Sequence, residues 1–197
     1  MRNLPKQQRP GRGFSMRPAA MSNKRLNTIL SILILIMPPL SFAGPHEDYL
    51  HGLAAYQRED LMTAIESLKI AADSGHAKAQ SLLGYIYDIA EENEQAFHYY
   101  RQAAEQGEAD GAYGMGMLYA TGEGVAQDLF EAVRWFEKAA DAGHPQAIDL
   151  LATAYLNGGL ALTKDSAKAI DLLERGAALG HTPSIERLKA YKEKEGI

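Results

Sequence analysis

The chain has no cysteine and a single tryptophan among its 197 residues. Without a thiol it can form no disulfide bond, no cysteine-ligated zinc site and no cysteine nucleophile. It also has no cysteine that could carry a lipid anchor at a processed amino terminus. A folded domain of this composition must therefore be held together by its hydrophobic core.

Acidic residues are absent from the first 43 positions, which contain seven basic residues. An apolar run over 29–40 follows, and Ser41-Phe42-Ala43 places small residues at −3 and −1 relative to a cut after Ala43. This order predicts that residues 1–43 are a secretory signal peptide, with Met16 or Met21 as alternative starts. A retained membrane anchor is the competing interpretation. However, the apolar run is shorter than the roughly 20 residues that a spanning helix needs.

Positive charge is scarce after residue 43. Seven of the 20 Lys and Arg residues precede that point, so 13 basic residues remain against 25 acidic ones, a formal charge of −12. A surface with this balance repels nucleic acid and anionic lipid. We therefore expect a periplasmic or secreted protein with no nucleic-acid partner and no stable membrane insertion after signal cleavage.

One phrase recurs four times after residue 43: two small residues, a short gap and a glycine. The glycines lie 32, 36 and 37 residues apart. A period of this size is typical of a solenoid of stacked helix pairs. The four glycines are Gly75, Gly107, Gly143 and Gly180.

The pattern predicts an all-α fold, a right-handed superhelical solenoid of about four helix-turn-helix repeats with a carboxy-terminal capping helix. We predict a linker at 44–46, a repeat domain over 47–181, and the capping helix with its tail over 182–197. In each pair we call the first helix leading and the second trailing. The predicted pairs are 47–57 with 60–74, 77–89 with 92–106, 109–121 with 128–142, and 145–156 with 165–179.

Each leading helix has a small residue at one repeat position, which would let two helices approach closely. These residues are Gly52, Gly84, Gly116 and Ala152. Trailing helices carry an alanine at their own repeat position, followed three residues later by Tyr99, Trp135 or Leu172 in the last three pairs. We interpret Trp135 as a core wedge, with a ligand platform as the alternative. The last two pairs contain inserts at 121–127 and 157–163, which we expect to protrude from one edge.

These positions carry a family resemblance. The third unit contains Met115-Gly116-Met117-Leu118-Tyr119, Gly122-Glu123-Gly124-Val125, Ala132, Trp135 and Ala139-Ala140. In this respect it resembles the Sel-one-like repeats, close relatives of tetratricopeptide repeats, and the resemblance covers about residues 47–181. It implies a scaffold or adaptor more than any particular chemistry.

The resemblance also implies a partner-binding surface, because leading helices line the concave groove of tetratricopeptide-like solenoids. Tyrosine and methionine in such a groove favour protein contact. The alternative is that the tyrosines only cover the seam between helices. The candidate groove residues are Tyr49, Leu53, Lys78, Ser81, Tyr85, Asp110, Tyr113, Met117, Gln146, Asp149 and Thr153.

The sequence predicts no catalytic, cofactor or metal site. His76, His144 and His181 share one repeat position, so they would lie one repeat apart rather than converge on an ion. Gly122-Glu123-Gly124 lacks the preceding strand and the following Lys-Ser/Thr of a phosphate loop.

We therefore expect an exported, non-catalytic interaction scaffold or adaptor in the bacterial envelope, with a protein or peptide partner. The sequence predicts no particular oligomeric state. One alternative is a cell-wall-acting or other hydrolase, which would need a histidine within reach of both a serine and a carboxylate. The other is a small-ligand-binding periplasmic protein, which would need an enclosed apolar pocket.

The order of basic head, apolar run and small residues predicts cleavage after Ala43. Amino-terminal sequencing of the exported protein should begin at Gly44. An exported form that still contains residues 29–40 would instead support an anchor.

Overall fold

The computed structural model describes residues 44–196, which form nine α-helices and no β-strand. The predicted signal peptide at 1–43 lies outside the described residues. We number the helices in chain order. They are α1 Pro45–Gln57, α2 Leu61–Asp73, α3 Ala77–Ile89, α4 Asn93–Glu105, α5 Ala109–Thr121, α6 Leu129–Asp141, α7 Pro145–Asn157, α8 Ser166–Ala178 and α9 Thr182–Glu195.

The helices pair in sequence order, which confirms the predicted all-α repeat solenoid. The hairpins are α1 with α2, α3 with α4, α5 with α6, and α7 with α8, and α9 packs against α8. Successive hairpins meet where each trailing helix contacts the next leading helix. The leading helices α3 and α5 also contact each other directly, which places them on the inner side of the stack.

The first helix differs from its predicted bounds. It begins at Pro45, so two of the three residues predicted as a linker at 44–46 are helical. Proline suits the first helical position because the amide hydrogen it lacks would have no partner there. Gly44 precedes the helix, and its carbonyl accepts from the Glu47 amide at 2.7 Å. Only Gly44 thus remains outside the helix.

The glycine after each trailing helix adopts the left-handed conformation. Its φ is +83° at Gly75, +81° at Gly107, +85° at Gly143 and +75° at Gly180. A side chain is strained at such an angle, which explains why glycine closes every helix pair.

The seam within each pair depends on a missing side chain. A Cβ atom built on Gly116 would lie 2.6 Å from the ring of Phe136, and one built on Gly84 would lie 2.5 Å from the ring of Tyr100. Gly52 stands in the same relation to Leu68, at 2.6 Å. The residues that fill the seam all lie four positions after the trailing-helix alanine. They are Leu68, Tyr100, Phe136 and, in the fourth pair, Leu173, and all are buried.

This arrangement refines the interpretation of Trp135 as a core wedge, because Trp135 packs against the edge of the core and does not fill the seam. Phe136 is fully buried in the seam, whereas Trp135 is half-buried with the Lys138 Nζ atom 3.7 Å from its ring centroid. The helix turns by about 100° per residue, so Trp135 lies beside the seam rather than in it.

The two inserts also differ from expectation, because they pack onto the array. In the first, over 122–128, Val125 packs against the core and the Gln127 side-chain amide donates to the Ala120 carbonyl at 2.8 Å. Gly124, at φ +71°, approaches the Asn93 backbone so closely that a Cβ would lie 2.8 Å from its carbonyl oxygen. In the second, over 158–165, Leu160 and Leu162 pack against the same core. Apolar residues inside the inserts account for this packing, since exposing them would be unfavourable.

Within residues 44–196, every helix falls short of the length and apolar character required to cross a membrane.

The seam predicts that Gly116→Leu strongly destabilises the protein, because the new side chain would overlap the Phe136 ring. Overpacking of this kind typically costs about 1–3 kcal/mol, so the melting temperature should fall by several degrees. Glu123→Ala, which changes an exposed side chain of the first insert, is the control and should melt like the parent. Equal melting temperatures for the two variants would contradict the close packing of Gly116 against Phe136.

Candidate functional site

The candidate groove residues lie on the four leading helices, as predicted, but their exposure differs. Tyr85 on α3 and Met117 on α5 are 46% and 37% exposed, so both present apolar surface to solvent. Lys78 and Gln146 are also exposed, whereas Leu53 is half-buried. The inner side therefore has a mixed surface, apolar near the carboxyl ends of α3 and α5.

Two of the candidate groove tyrosines pack against histidines of other repeat units. Tyr49 stacks on His76, the N-cap residue of the next leading helix, with ring centroids 4.6 Å apart, and Tyr113 stacks on His144 at 4.3 Å. Tyr113 also contacts the Phe136 ring at 5.6 Å. Both tyrosines are half-buried as a result. For these two, the interpretation that tyrosines cover a seam describes the geometry better than free exposure does.

The stacking histidines cap the helices that they begin. The Nδ1 atom of His76 accepts from the Ala79 amide, and that of His144 accepts from the Ala147 amide, each at 3.2 Å. A neutral histidine that accepts at Nδ1 carries its proton on Nε2. The Nε2–H of His144 donates to the Asp110 carboxylate at 3.3 Å. In the sequence these histidines were considered only as metal ligands, and their capping role was missed. A polar residue directly after a capping glycine is a helix N-cap signal that could have identified it.

Electrostatics in this region follow from these contacts. The hydrogen bond from His144 lowers the pKa of Asp110, and the charge of Lys78 adds to that effect while burial opposes it. Burial lowers the pKa of His76, and the neighbouring His46 and Lys78 lower it further. His46 lies beside His76, with 3.4 Å between the Nδ1 of His46 and the Nε2 of His76.

Three candidate residues do not present a free side chain to the groove. Ser81 is buried, and its hydroxyl donates to the Lys78 carbonyl at 3.2 Å. Asp149 forms an ion pair with the Nε atom of Arg187 on α9 at 3.4 Å, and Arg187 also donates to the Thr153 hydroxyl. The capping helix thus occupies the polar side chains of the fourth leading helix.

Two further side chains join the exposed apolar surface and were missed from the sequence. Ile89, at the end of α3, is 62% exposed. The half-buried Tyr56 packs edge-on against Tyr85 with ring centroids 6.4 Å apart. Ile89 lies one helical turn after Tyr85, so the helical period could have identified it. We call Tyr85, Ile89 and Met117 the exposed strip.

The geometry bears on the two alternative functions. The histidine–serine pairs in residues 44–196 are His51 with Ser67 at 2.8 Å and His181 with Ser184 at 2.9 Å, whereas the carboxylate of Asp110 is bound by a third histidine, His144. No histidine in this range therefore bridges a serine and a carboxylate.

A groove of about 460 Å³ lies between α6 and α8. Its apolar floor includes Leu151 and Tyr155, but its walls contain charged side chains from both helices. This arrangement differs from the enclosed apolar pocket that a dedicated small-ligand binder would need. Across 44–196 no three histidine or acidic side chains are grouped as a metal site would require.

The repeat architecture matches a known family model. The Sel1 repeat model matches residues 77–108, 109–144 and 145–181, more than half of the chain. The chain belongs to the Sel1 repeat family. The three matched segments correspond to the second, third and fourth helix pairs of this Sel1 repeat protein, each extended to the residue that precedes the next helix.

Solved structures share this arrangement. A Sel1 repeat protein from Oxalobacter formigenes superposes with a TM-score of 0.70 at 28% identity, covering 88% of this chain and 77% of that chain. A protective antigen of uropathogenic Escherichia coli strains, described as displaying an SLR fold, gives 0.67 at 25% identity over 88% of this chain and 36% of that chain.

Relatives by sequence are much longer proteins. The DAP3-binding cell death enhancer 1 of Rattus norvegicus is 34% identical over 94 residues, covering 47% of this chain and 18% of its own length. The chitin synthase regulator SKT5 of Saccharomyces cerevisiae is 32% identical over 129 residues, covering 60% of this chain and 18% of its own length. This Sel1 repeat protein thus spans less than a fifth of the length of either relative.

The lowered pKa of His76 predicts an acid-sensitive fold. The unfolded chain takes up a proton near the usual histidine value of about 6.5, whereas the folded chain resists protonation until a lower pH. The stabilising contribution is therefore present above about pH 6.5 and is lost as the pH falls from there through the lowered value. Thermal melts of the parent between pH 8 and pH 5 should show this decline.

The matched variant is His76→Asn, which keeps a good N-cap residue without a titrating ring. Its melting temperature should depend less on pH over that range than the parent's. His98→Asn, at an exposed site on α4, is the control and should keep the parent's dependence. Identical pH profiles for the parent and His76→Asn would contradict the attribution of the acid sensitivity to His76.

Proposed function

We propose that this chain is an exported, non-catalytic interaction scaffold or adaptor of the bacterial envelope that binds a protein partner along its leading helices. The observation that carries the proposal is the exposed strip, where three apolar side chains on the inner helices remain open to solvent. Apolar and aromatic side chains of this kind supply most of the binding energy in protein interfaces.

The family supports a role in binding. Sel1 repeat proteins act in protein–protein interaction, as the names of the DAP3-binding rat protein and the yeast chitin synthase regulator illustrate. A solenoid also offers a long surface and no deep pocket for chemistry. The separate placement of the serine-bound and carboxylate-bound histidines supports a non-catalytic role.

The envelope location rests on the sequence of the first 43 residues. Their basic head, apolar run and small-residue exit are typical of export. The acidic balance after residue 43 suits a protein that does not bind nucleic acid. The bacterial solved relatives agree with such a source.

The proposal predicts that Tyr85→Ala weakens partner capture from envelope extract at least tenfold, about 1.4 kcal/mol, with a melting temperature close to the parent's. Tyr85 is 46% exposed, so its loss should cost the fold little. Tyr113→Ala should instead lower the melting temperature, because that ring packs between His144 and Phe136. Quantitative pull-downs and thermal melts on the same preparations measure both effects.

The control is Ile70→Ala on the trailing helix α2, which is 52% exposed and lies outside the groove. It should leave both capture and melting unchanged. Capture that is insensitive to Tyr85→Ala but lost in Ile70→Ala would place the partner on the outer side and contradict the groove.

A further inference from the structure

Two carboxylates without a basic partner border the exposed strip. Asp88 lies near the end of α3, and Glu123 lies in the insert that follows α5. Among the ion pairs of residues 44–196, none within 4.0 Å includes either side chain. Their polar contacts are hydroxyls: the Tyr100 hydroxyl donates to Asp88 at 3.4 Å, and the Thr121 hydroxyl donates to Glu123 at 3.0 Å.

The negative charges of Asp88 and Glu123 repel each other. Burial raises the pKa of Asp88, the charge of Glu123 raises it further, and the Tyr100 hydroxyl only partly offsets both effects. Like charges held close together disfavour the folded state unless a cation compensates them. The described chain thus holds negative charge, without a counter-charge of its own, beside an apolar surface.

The leading helices as a group are short of positive charge. The helices α1, α3, α5 and α7 contain five acidic residues and a single basic one, Lys78, whereas the trailing helices α2, α4, α6 and α8 contain nine acidic and six basic residues. The net charges of the two groups are similar, −4 and −3, but the leading helices have almost no cation of their own. The acidic residues of the leading helices are Glu47, Asp48, Asp88, Asp110 and Asp149.

Two acidic side chains near the amino ends of leading helices have cationic or histidine partners, and the pair near the carboxyl ends does not. Asp110 binds His144, and Asp149 binds Arg187. Asp88 precedes Ile89 on α3 and lies one helical turn after Tyr85. Glu123 is bonded to Thr121, which lies one turn after Met117 on α5. Apolar contact and unbalanced negative charge thus coincide at one end of the groove.

We propose that the exposed strip takes a short segment of a partner protein in which a lysine or arginine lies beside an aliphatic or aromatic residue. The apolar side chain packs on Tyr85, Ile89 and Met117, and the cation lies against Asp88 and Glu123. This inference rests on the proposed groove and adds the chemistry of the partner. Electrostatic complementarity of this kind chooses among partners and speeds their encounter.

The test is selection of random twelve-residue peptides displayed on phage against the protein purified after expression from its full sequence. Selected peptides should be enriched in Lys or Arg next to Leu, Ile, Phe, Tyr or Trp. Synthetic copies should bind the parent more tightly than copies with Gln in place of the cation. Raising the salt concentration should weaken binding of the cationic copies and leave the Gln copies nearly unchanged.

The decisive variant is Asp88→Asn combined with Glu123→Gln. It should bind the cationic peptide at least tenfold more weakly and should lose the preference over the Gln copy. Its melting temperature at neutral pH should equal or exceed the parent's, because the change removes a repulsion. Glu94→Gln on the outer helix α4 is the matched charge control and should bind like the parent.

Selected peptides without a cation, peptides that bind Asp88→Asn with Glu123→Gln as tightly as the parent, or no selected peptide would each overturn the inference. Self-association abolished by Tyr85→Ala would also overturn it, because a second copy would then occupy the strip. The proposed function fails separately. It fails if natural partners bind Tyr85→Ala as tightly as they bind the parent. If natural partners need Tyr85 but have no lysine or arginine at the contact, only the proposed partner chemistry is contradicted.

Discussion

The close approach of the two helices in each pair is the constraint on which the array depends. Gly52, Gly84 and Gly116 leave room that Leu68, Tyr100 and Phe136 fill from the trailing helix. Glycine inside a helix costs about 1 kcal/mol relative to alanine, and burial of a large apolar side chain offsets that cost. Because the seam repeats, each leading helix takes the same position in its unit, and the groove arises from that repetition.

Helix bounds were predictable because the residues that end and pack each helix act within a single unit. Glycine at a left-handed position and alanine in the seam are required by the geometry of a single unit, so their spacing appears directly in the sequence. The start of α1 was misplaced by two residues because Pro45 reads equally well as a loop residue and as the first residue of a helix.

The groove was less predictable because it depends on contacts between units. The repeat register placed Tyr49, Tyr85 and Tyr113 on one face, but only Tyr85 is free of a stacking histidine. Tyr49 and Tyr113 lie three residues before the small residue of their helices, where each meets the N-cap histidine of a following leading helix. Tyr85 lies directly after its small residue, Gly84, and makes no such contact. The contact of Arg187 with Asp149 could not be anticipated, since it depends on how α9 is rotated against its neighbours.

The ring of Tyr100 belongs structurally to two units at once. A Cβ on Gly84 of α3 or on Gly114 of α5 would lie 2.5 Å from that ring, so it fills space in its own pair and in the next. In a repeat protein, cooperativity is the balance between the intrinsic stability of a unit and its coupling to neighbours. A shared ring shifts that balance toward coupling, because opening the third unit would expose the core of the second. The second and third units are therefore coupled directly through this ring.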